Sequence, residues 1–204
     1  MAQHREPALT RASRLATAPR PVRQAFWLVI GAIVLISAEA ATAAVLLGRF
    51  DTTVTAHAPW TVLEQLQLDS MHTRLALTAV LSAGLALLLA GVALAVPRKS
   101  AGTRPLVGLT ALLATVGLLL GVVMNPDNAL LAYGAAEEAH LHLVLPMWFS
   151  VLSSIAVSGA LLALAVAFVV MGREPAYEYY HYHGPVAAWN ARPATAANEG
   201  SRAP

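Results

Sequence analysis

The sequence contains no cysteine and little charge, and both shortages narrow what the protein can be. Only 12% of its 204 residues are charged, and 6% are aromatic. The lack of cysteine excludes disulfides, thiolate metal sites, cysteine nucleophiles and thiol redox chemistry. The GxSxG, Walker and GxGxxG patterns are also missing, so nothing favours a hydrolase, a kinase or a dinucleotide-binding enzyme.

The sequence is rich in long apolar runs, and 57% of its residues are hydrophobic. A helix needs about 20 apolar residues to cross the roughly 30 Å hydrocarbon core of a bilayer. Four stretches are long enough, and the only charge inside them is Glu39 in the first. We therefore predict an all-α integral membrane protein with four transmembrane helices in a bundle. The predicted spans cover residues 26–48, 75–96, 106–124 and 143–171.

The basic residues predict the orientation of these spans. Five arginines precede the first span, three basic residues separate the second from the third, and three arginines follow the fourth. Only Arg49 and Arg74 are left for the other side. Because basic residues near span ends are retained in the cytoplasm, we predict a multi-pass protein of the cell membrane with both termini cytoplasmic. Its basic character is then a topology signal, and no nucleic-acid partner is expected.

The predicted organisation is a transmembrane domain between two tails. The domain covers residues 26–172, and the tails, 1–25 and 173–204, are expected to be mostly disordered because they are polar and lack helical periodicity. One alternative stays open for the first span. Residues 37–44 end an apolar stretch with small side chains in the manner of a signal-peptidase site, although the stretch is long enough to span.

Histidines and carboxylates gather on the predicted outer side, in the loop before span two and in AAEEAHLHLVLPMW before span four. Imidazole beside carboxylate is the usual ligand set for zinc, copper or iron. Neighbouring methionines favour copper, with zinc or no metal as the alternatives. The candidate metal-site residues, as ligands or as acids that orient ligands, are His72, His140, His142, Asp69, Glu138 and Glu137.

The backbone before span four decides whether its histidines can share a metal. On a helix, His140 and His142 point about 160° apart. In an extended segment they lie on one side together with Glu138. Pro146 disfavours helical geometry at the residue before it, which favours the extended form. We expect His72 to complete the site, since spans two and four can be neighbours in a bundle.

Glu39 is the one acid inside a predicted span, so we expect it to face the bundle and to have a partner or a proton. It lies about 13 to 15 Å from the outer end of its span at 1.5 Å per residue. Two interpretations stay open. Glu39 is either a functional group reached from the outer side, or a neutral acid bonded to a hydroxyl of Ser37, Thr42, Ser82 or Ser153.

The segment 58–71 alternates apolar and polar residues and is too polar to insert into a bilayer. It predicts a short amphipathic helix that either lies on the membrane surface or covers the bundle as a lid.

Several of these features follow one another in an order that a known family shares. They are Trp60, Asp69 with His72 at the start of a span, Pro105, Asn125, Asn128, the pair of Glu137 and Glu138, and a histidine before the last span. Over residues 50–172 they resemble an integral membrane subunit of the copper membrane monooxygenases, which oxidise methane, ammonia or hydrocarbons. The resemblance implies Asp/His/His and Asn/His/His copper sites. In these, His72 is the last histidine of the first set. Asn125 or Asn128 begins the second set, and His140 or His142 ends it.

The chain departs from that family in its spacings. Thr53 stands four residues before His57 where the family has aspartate, and Ala129 stands four residues after Asn125 where it has histidine. Two function classes are therefore predicted. The first is a metal-binding subunit of a membrane oxidoreductase, not catalytic by itself, or a copper-handling protein. The second is a non-catalytic accessory or assembly protein without metal. Either would work in the lipid bilayer with other membrane proteins or as a homo-oligomer.

Overall fold

The computed structural model of the chain describes residues 18–96, 103–126 and 140–181. Across these residues the backbone is helical and contains no strand. The helices are α1 (Arg20–Ala56), α2 (Val62–Ala95), α3 (Thr103–Val123), α4 (Met147–Met171) and α5 (Glu174–His181). The first four are each long and apolar enough to cross a membrane, which confirms the four predicted spans as helices. Most of both predicted tails lies outside the described residues, but residues 20–25 and α5 are helical.

The first two helices are much longer than the spans predicted within them. α1 continues from residue 48 to Ala56, and α2 begins at Val62 rather than at residue 75. The segment 58–71 is therefore not a separate surface helix, because all of it after Thr61 belongs to α2. No proline interrupts the sequence from residue 60 to residue 96, so nothing in the backbone stops this helix at the membrane boundary.

The four long helices form a ring in chain order. α1 packs against α2 and α4, and α3 packs against the same two helices. α2 and α4 therefore face each other across the diagonal of the bundle, which corrects the expectation that they are neighbours. Helices joined in sequence by short connections pack as antiparallel neighbours, and this leaves alternate helices on the diagonals.

The end of the bundle where α1 begins and α4 ends, which we call the terminal end, is held by regularly spaced small and aliphatic residues. On α1 the buried positions are separated by three and four residues in turn, as expected for one helix face: Val22, Ala25, Val29, Ala32 and Ile36. The facing positions on α4 repeat the same spacing: Val157, Ala160, Leu164, Ala167 and Met171. The alanines let the two backbones approach closely, which favours helix association in lipid.

α5 closes the terminal end. The hydroxyl of Tyr180 donates to the carbonyl oxygen of Val96 at 2.8 Å. The ring of Tyr180 is fully buried, and burial raises the pKa of its hydroxyl well above the usual range. α5 is thus anchored to the end of α2 by a neutral donor.

A second cluster of buried side chains lies at the opposite end, which we call the loop end and define by residues 57–61 and 140–146. Its members come from α1, α2, the 140–146 segment and the start of α4: Ala43, Phe50, Leu68, Met71, Leu75, Leu141, Val144, Leu145 and Phe149. This loop-end cluster fixes the connection before α4 against the α1–α2 hairpin. The hairpin therefore has a hydrophobic core of its own at the loop end.

Candidate functional site

Glu39 lies in the middle of the bundle and is held by two other helices. The hydroxyl of Ser82 on α2 donates to one carboxylate oxygen at 3.0 Å, and the hydroxyl of Ser153 on α4 donates to the other at 2.5 Å. The residue is buried, with 3% of Glu39 exposed. Both serines were among the four predicted hydroxyl partners. Their hydrogen bonds connect α1, α2 and α4 at one level of the bundle.

Further polar contacts lead from this group toward the end of α3. The side-chain amide of Asn125 donates to the hydroxyl of Ser153 at 3.4 Å. The guanidinium of Arg74 donates to the carbonyl oxygens of Val123 and Asn125, both at 3.4 Å. Arg74 thus places a positive charge at the C-terminus of α3, where the helix dipole and the last carbonyls favour it. Asn125 therefore connects the end of α3 to Ser153 on α4.

The contacts of Glu39 suit a structural role. A buried carboxyl group is tolerated when hydrogen bonds satisfy its oxygens, and here both oxygens accept one. Among the described residues, Glu39 forms no ion pair. Its bonds link α1 to both diagonal helices, which do not pack closely against each other. We call Glu39, Ser82, Ser153 and Asn125 the polar node.

The shared level of the polar node shows how far each helix extends toward the loop end. At 1.5 Å per residue, α1 continues about 25 Å beyond Glu39 and α2 about 30 Å beyond Ser82. α4 reaches only about 9 Å beyond Ser153, and α3 ends close to the node. The α1–α2 hairpin therefore projects about 15 to 20 Å past the start of α4 and about 25 to 30 Å past the end of α3.

The turn of this hairpin is built by Trp60 and Thr61. The indole N–H of Trp60 donates to the carbonyl oxygen of Val54 at 2.8 Å and so caps the last turn of α1. Thr61 begins α2 with a capping box, in which its hydroxyl accepts from the backbone N–H of Glu64 and its own N–H donates to the Glu64 carboxylate at 2.7 Å. One side chain of the box, Glu64, is thereby aimed back toward the turn.

The second oxygen of the Glu64 carboxylate binds His140. The distance from this oxygen to His140 Nδ1 is 2.8 Å, and the imidazole stacks on Trp60 with ring centroids 4.2 Å apart. An ionised carboxylate only accepts hydrogen bonds, so Nδ1 carries the proton and the Nε2 lone pair is left for a proton or a metal. We call Trp60, Glu64 and His140 the histidine clamp. The same arrangement, with a carboxylate behind the ring, orients metal-bound histidines in proteins.

The backbone at residues 140–145 is neither a continuous helix nor an extended segment, the two forms that the sequence left open. His140 and Leu141 are helical, and residues 142–145 form turns, in which the N–H of Val144 and the N–H of Leu145 both donate to the carbonyl oxygen of Leu141. The segment is not extended, so the alternation that would align His140 with His142 is absent. Pro146 is the N-cap of α4, which therefore begins at Met147 and not at residue 143.

The three candidate histidines have separate partners. His142 Nδ1 lies 3.2 Å from the carbonyl oxygen of Leu145 in its own turn. His72 is exposed on α2, with its ring edge-on to Phe50 at a centroid distance of 5.1 Å. His72 is also eight residues beyond Glu64, which holds His140, and eight residues of helix are about 12 Å. His72 therefore lies about two turns of α2 away from the residue that holds His140.

Of the three acids in the predicted metal site, only Asp69 is among the described residues. Asp69 is exposed on α2, while Glu137 and Glu138 lie outside the described residues. Within residues 18–96, 103–126 and 140–181, no group of three histidine or carboxylate side chains is arranged to hold a metal ion. Among the contacts of the described residues, a carboxylate meets a candidate histidine at Glu64, which was not among the predicted site residues. The TVLE stretch at residues 61–64, which contains it, is a capping-box pattern readable from sequence.

Comparison with known proteins adds no family: no family model, no curated protein and no solved structure matches this chain. The resemblance to a membrane component of the copper membrane monooxygenases stays a prediction.

Proposed function

We propose that this chain is an accessory or assembly protein of the cell membrane that contacts a partner protein through the tip of the α1–α2 hairpin. Both termini are on the cytoplasmic side in this proposal, because most arginines follow or precede the spans at that end. The partner is another membrane protein or a second copy of the chain, with an apolar surface just outside the bilayer.

The observation that carries this proposal is an exposed apolar surface at the hairpin tip. Val62 is 77% exposed and Leu66 is 64% exposed, with Leu63 beside them in the first turns of α2. Below the tip, Arg49 and Asp51 on α1 are exposed, and we expect the lipid to end at the level of these charged side chains. Val62 lies about 15 Å beyond His72, the residue level with this charged region. A contiguous apolar patch that lies outside the bilayer is typical of a protein interaction site.

Both ends of the hairpin tip are held rigid, which supports a docking role. Trp60 caps α1, the capping box of Thr61 and Glu64 starts α2, and His140 braces the turn from the 140–146 segment. A preorganised surface loses little conformational entropy when a partner binds.

A photoreactive amino acid at Leu66 tests the proposal in cells that produce the protein from its own promoter. We expect a discrete protein adduct from Leu66, with a mass of two chains if the partner is a second copy. The control is the same amino acid at Leu87, which is 75% exposed on the same helix but at the depth of the lipid. Identical adduct patterns from both positions would refute docking at the tip.

A second candidate function is metal binding, and the histidine clamp is the observation that favours it. Glu64 holds Nδ1 of His140 and leaves Nε2 available, as in a carboxylate-oriented metal ligand. Copper, or zinc in its place, would be bound for delivery or for an oxidoreductase complex. We expect copper or zinc retained after desalting to fall when His72, His140 and His142 are all changed to alanine. Equal retention by the wild type and the triple variant would exclude these ligands.

A further inference from the structure

A groove opens on the surface of the bundle at its terminal end, between α1 and α4. Its volume is about 730 Å³. α1 contributes Arg20, Arg23, Gln24, Trp27 and Leu28, and α4 contributes Val166 and Val170. We call this cavity the terminal groove, and its three aliphatic residues, Leu28, Val166 and Val170, the aliphatic floor.

The chemistry of the terminal groove changes along its length. The polar and aromatic lining residues of α1 lie at positions i, i+3, i+4 and i+7, so they share one face of the helix: Arg20, Arg23, Gln24 and Trp27. From Arg20 to Leu28 the helix rises about 12 Å, and over this distance the side chains that α1 contributes to the groove change from guanidinium and amide to indole and aliphatic groups. The same sequence of layers, from phosphate through interface to hydrocarbon, occurs in one leaflet of a bilayer.

Among the described residues, no carboxylate lies within ion-pairing distance of either guanidinium group of the groove, and the one close contact between a carboxylate and a basic side chain is that of Glu64 with His140, at the other end of the bundle. Arg20 and Arg23 are both exposed to the groove side of α1 and carry two positive charges about one turn apart. Guanidinium forks match phosphate oxygens in geometry and charge.

We propose that the terminal groove binds an anionic phospholipid, with the headgroup phosphate between Arg20 and Arg23 and one acyl chain along the aliphatic floor. Trp27, which is 64% exposed, lies beside the glycerol and ester region, where tryptophan is favoured in membranes. A zwitterionic lipid has the same phosphate but adds an ammonium group, which two arginines repel. Basic pockets between transmembrane helices select anionic headgroups for this reason.

Native mass spectrometry of the full chain, released from micelles that contain equal amounts of phosphatidylglycerol and phosphatidylcholine, tests the proposal. We expect the wild type to retain phosphatidylglycerol preferentially, and Arg20→Gln/Arg23→Gln to reduce that preference by about tenfold or more, as two basic residues near a membrane surface imply. The control is Arg49→Gln/Arg173→Gln, which removes the same charge from exposed positions outside the groove. A preference unchanged in the groove variant, or lost equally in the control, would overturn the proposal.

Two further experiments test separately whether an acyl chain lies in the groove and whether free phosphate is the true ligand. Val166→Trp fills the aliphatic floor without changing charge and is expected to reduce retained phosphatidylglycerol. Val169→Trp, at an exposed α4 position outside the groove lining, is expected to leave it unchanged. Equal effects of the two tryptophans would contradict binding along the floor. Excess inorganic phosphate is expected to leave the lipid bound, and displacement of the lipid by phosphate alone would assign the site to free phosphate instead.

Discussion

Phe149→Ala is expected to destabilise the protein by about 3 to 5 kcal/mol, which is the cost of removing a large buried aromatic side chain. Phe149 is fully buried in the loop-end cluster, where it joins the start of α4 to the α1–α2 hairpin. Its removal leaves a cavity at the place where the 140–146 segment is held. The free energy of unfolding in detergent, followed by circular dichroism, measures the effect.

The neighbouring Trp148→Ala is the matched control, because Trp148 is 52% exposed and outside the cluster. We expect a much smaller loss from it. Hydrogen exchange separates the two halves of the bundle further: Phe149→Ala should speed exchange in residues 140–149 and leave the α1–α4 contacts near Ile36 protected. If both variants cost the same free energy, the loop-end cluster does not hold the hairpin as described.

Glu39→Ala is expected to cost about 2 to 3 kcal/mol, the second largest effect. It removes the acceptor of two interhelical hydrogen bonds, worth on average about 0.6 kcal/mol each in membrane proteins, and adds the cost of a buried cavity. Glu39→Gln keeps an oxygen acceptor and nearly the same shape, so we expect a loss below about 1 kcal/mol. Unfolding in detergent with increasing denaturant measures both.

The control for Glu39 is Asp51→Ala, an exposed acid on the same helix, for which we expect a change within about 0.5 kcal/mol. Combining Glu39→Ala with Ser153→Ala tests the bond itself. Because the two residues share one interaction, the double variant should lose less than the sum of the single losses. Additive losses, or a Glu39→Ala variant as stable as the Asp51 control, would contradict a structural polar node.

The sequence predicted the four helices because lipid-crossing length is counted directly from apolar residues. The predicted lengths of α1 and α2 were too short because hydropathy indicates only the part of a helix that contacts lipid. The α1 helix continues through the more polar residues 49–56. Hydrogen bonding within the backbone favours helix in both environments. A capping box at Thr61 was the readable signal for the true start of α2.

The sequence limited the hydrogen-bond partners of Glu39 to hydroxyl groups at a similar depth in the membrane, but it did not identify which of them bind it. Thr42 is within reach in sequence, yet its hydroxyl donates to the carbonyl oxygens of Ala38 and Glu39 in its own helix. The choice of Ser82 and Ser153 depends on the rotation of α2 and α4 about their axes, which only packing fixes. The pairing of His140 with Glu64 likewise depends on the path of the 140–146 segment along the hairpin, for which the local sequence contains no rule.

We propose that the hairpin tip projects into water on the side of the membrane opposite to the termini. The chain has no cysteine, so a single cysteine at Leu66 can be labelled selectively with a membrane-impermeant maleimide in intact cells. We predict labelling of this position without permeabilisation, and labelling of a cysteine at Arg173 only after the membrane is opened. A Leu66 cysteine that stays unlabelled in intact cells, or an Arg173 cysteine that reacts there, would contradict this topology.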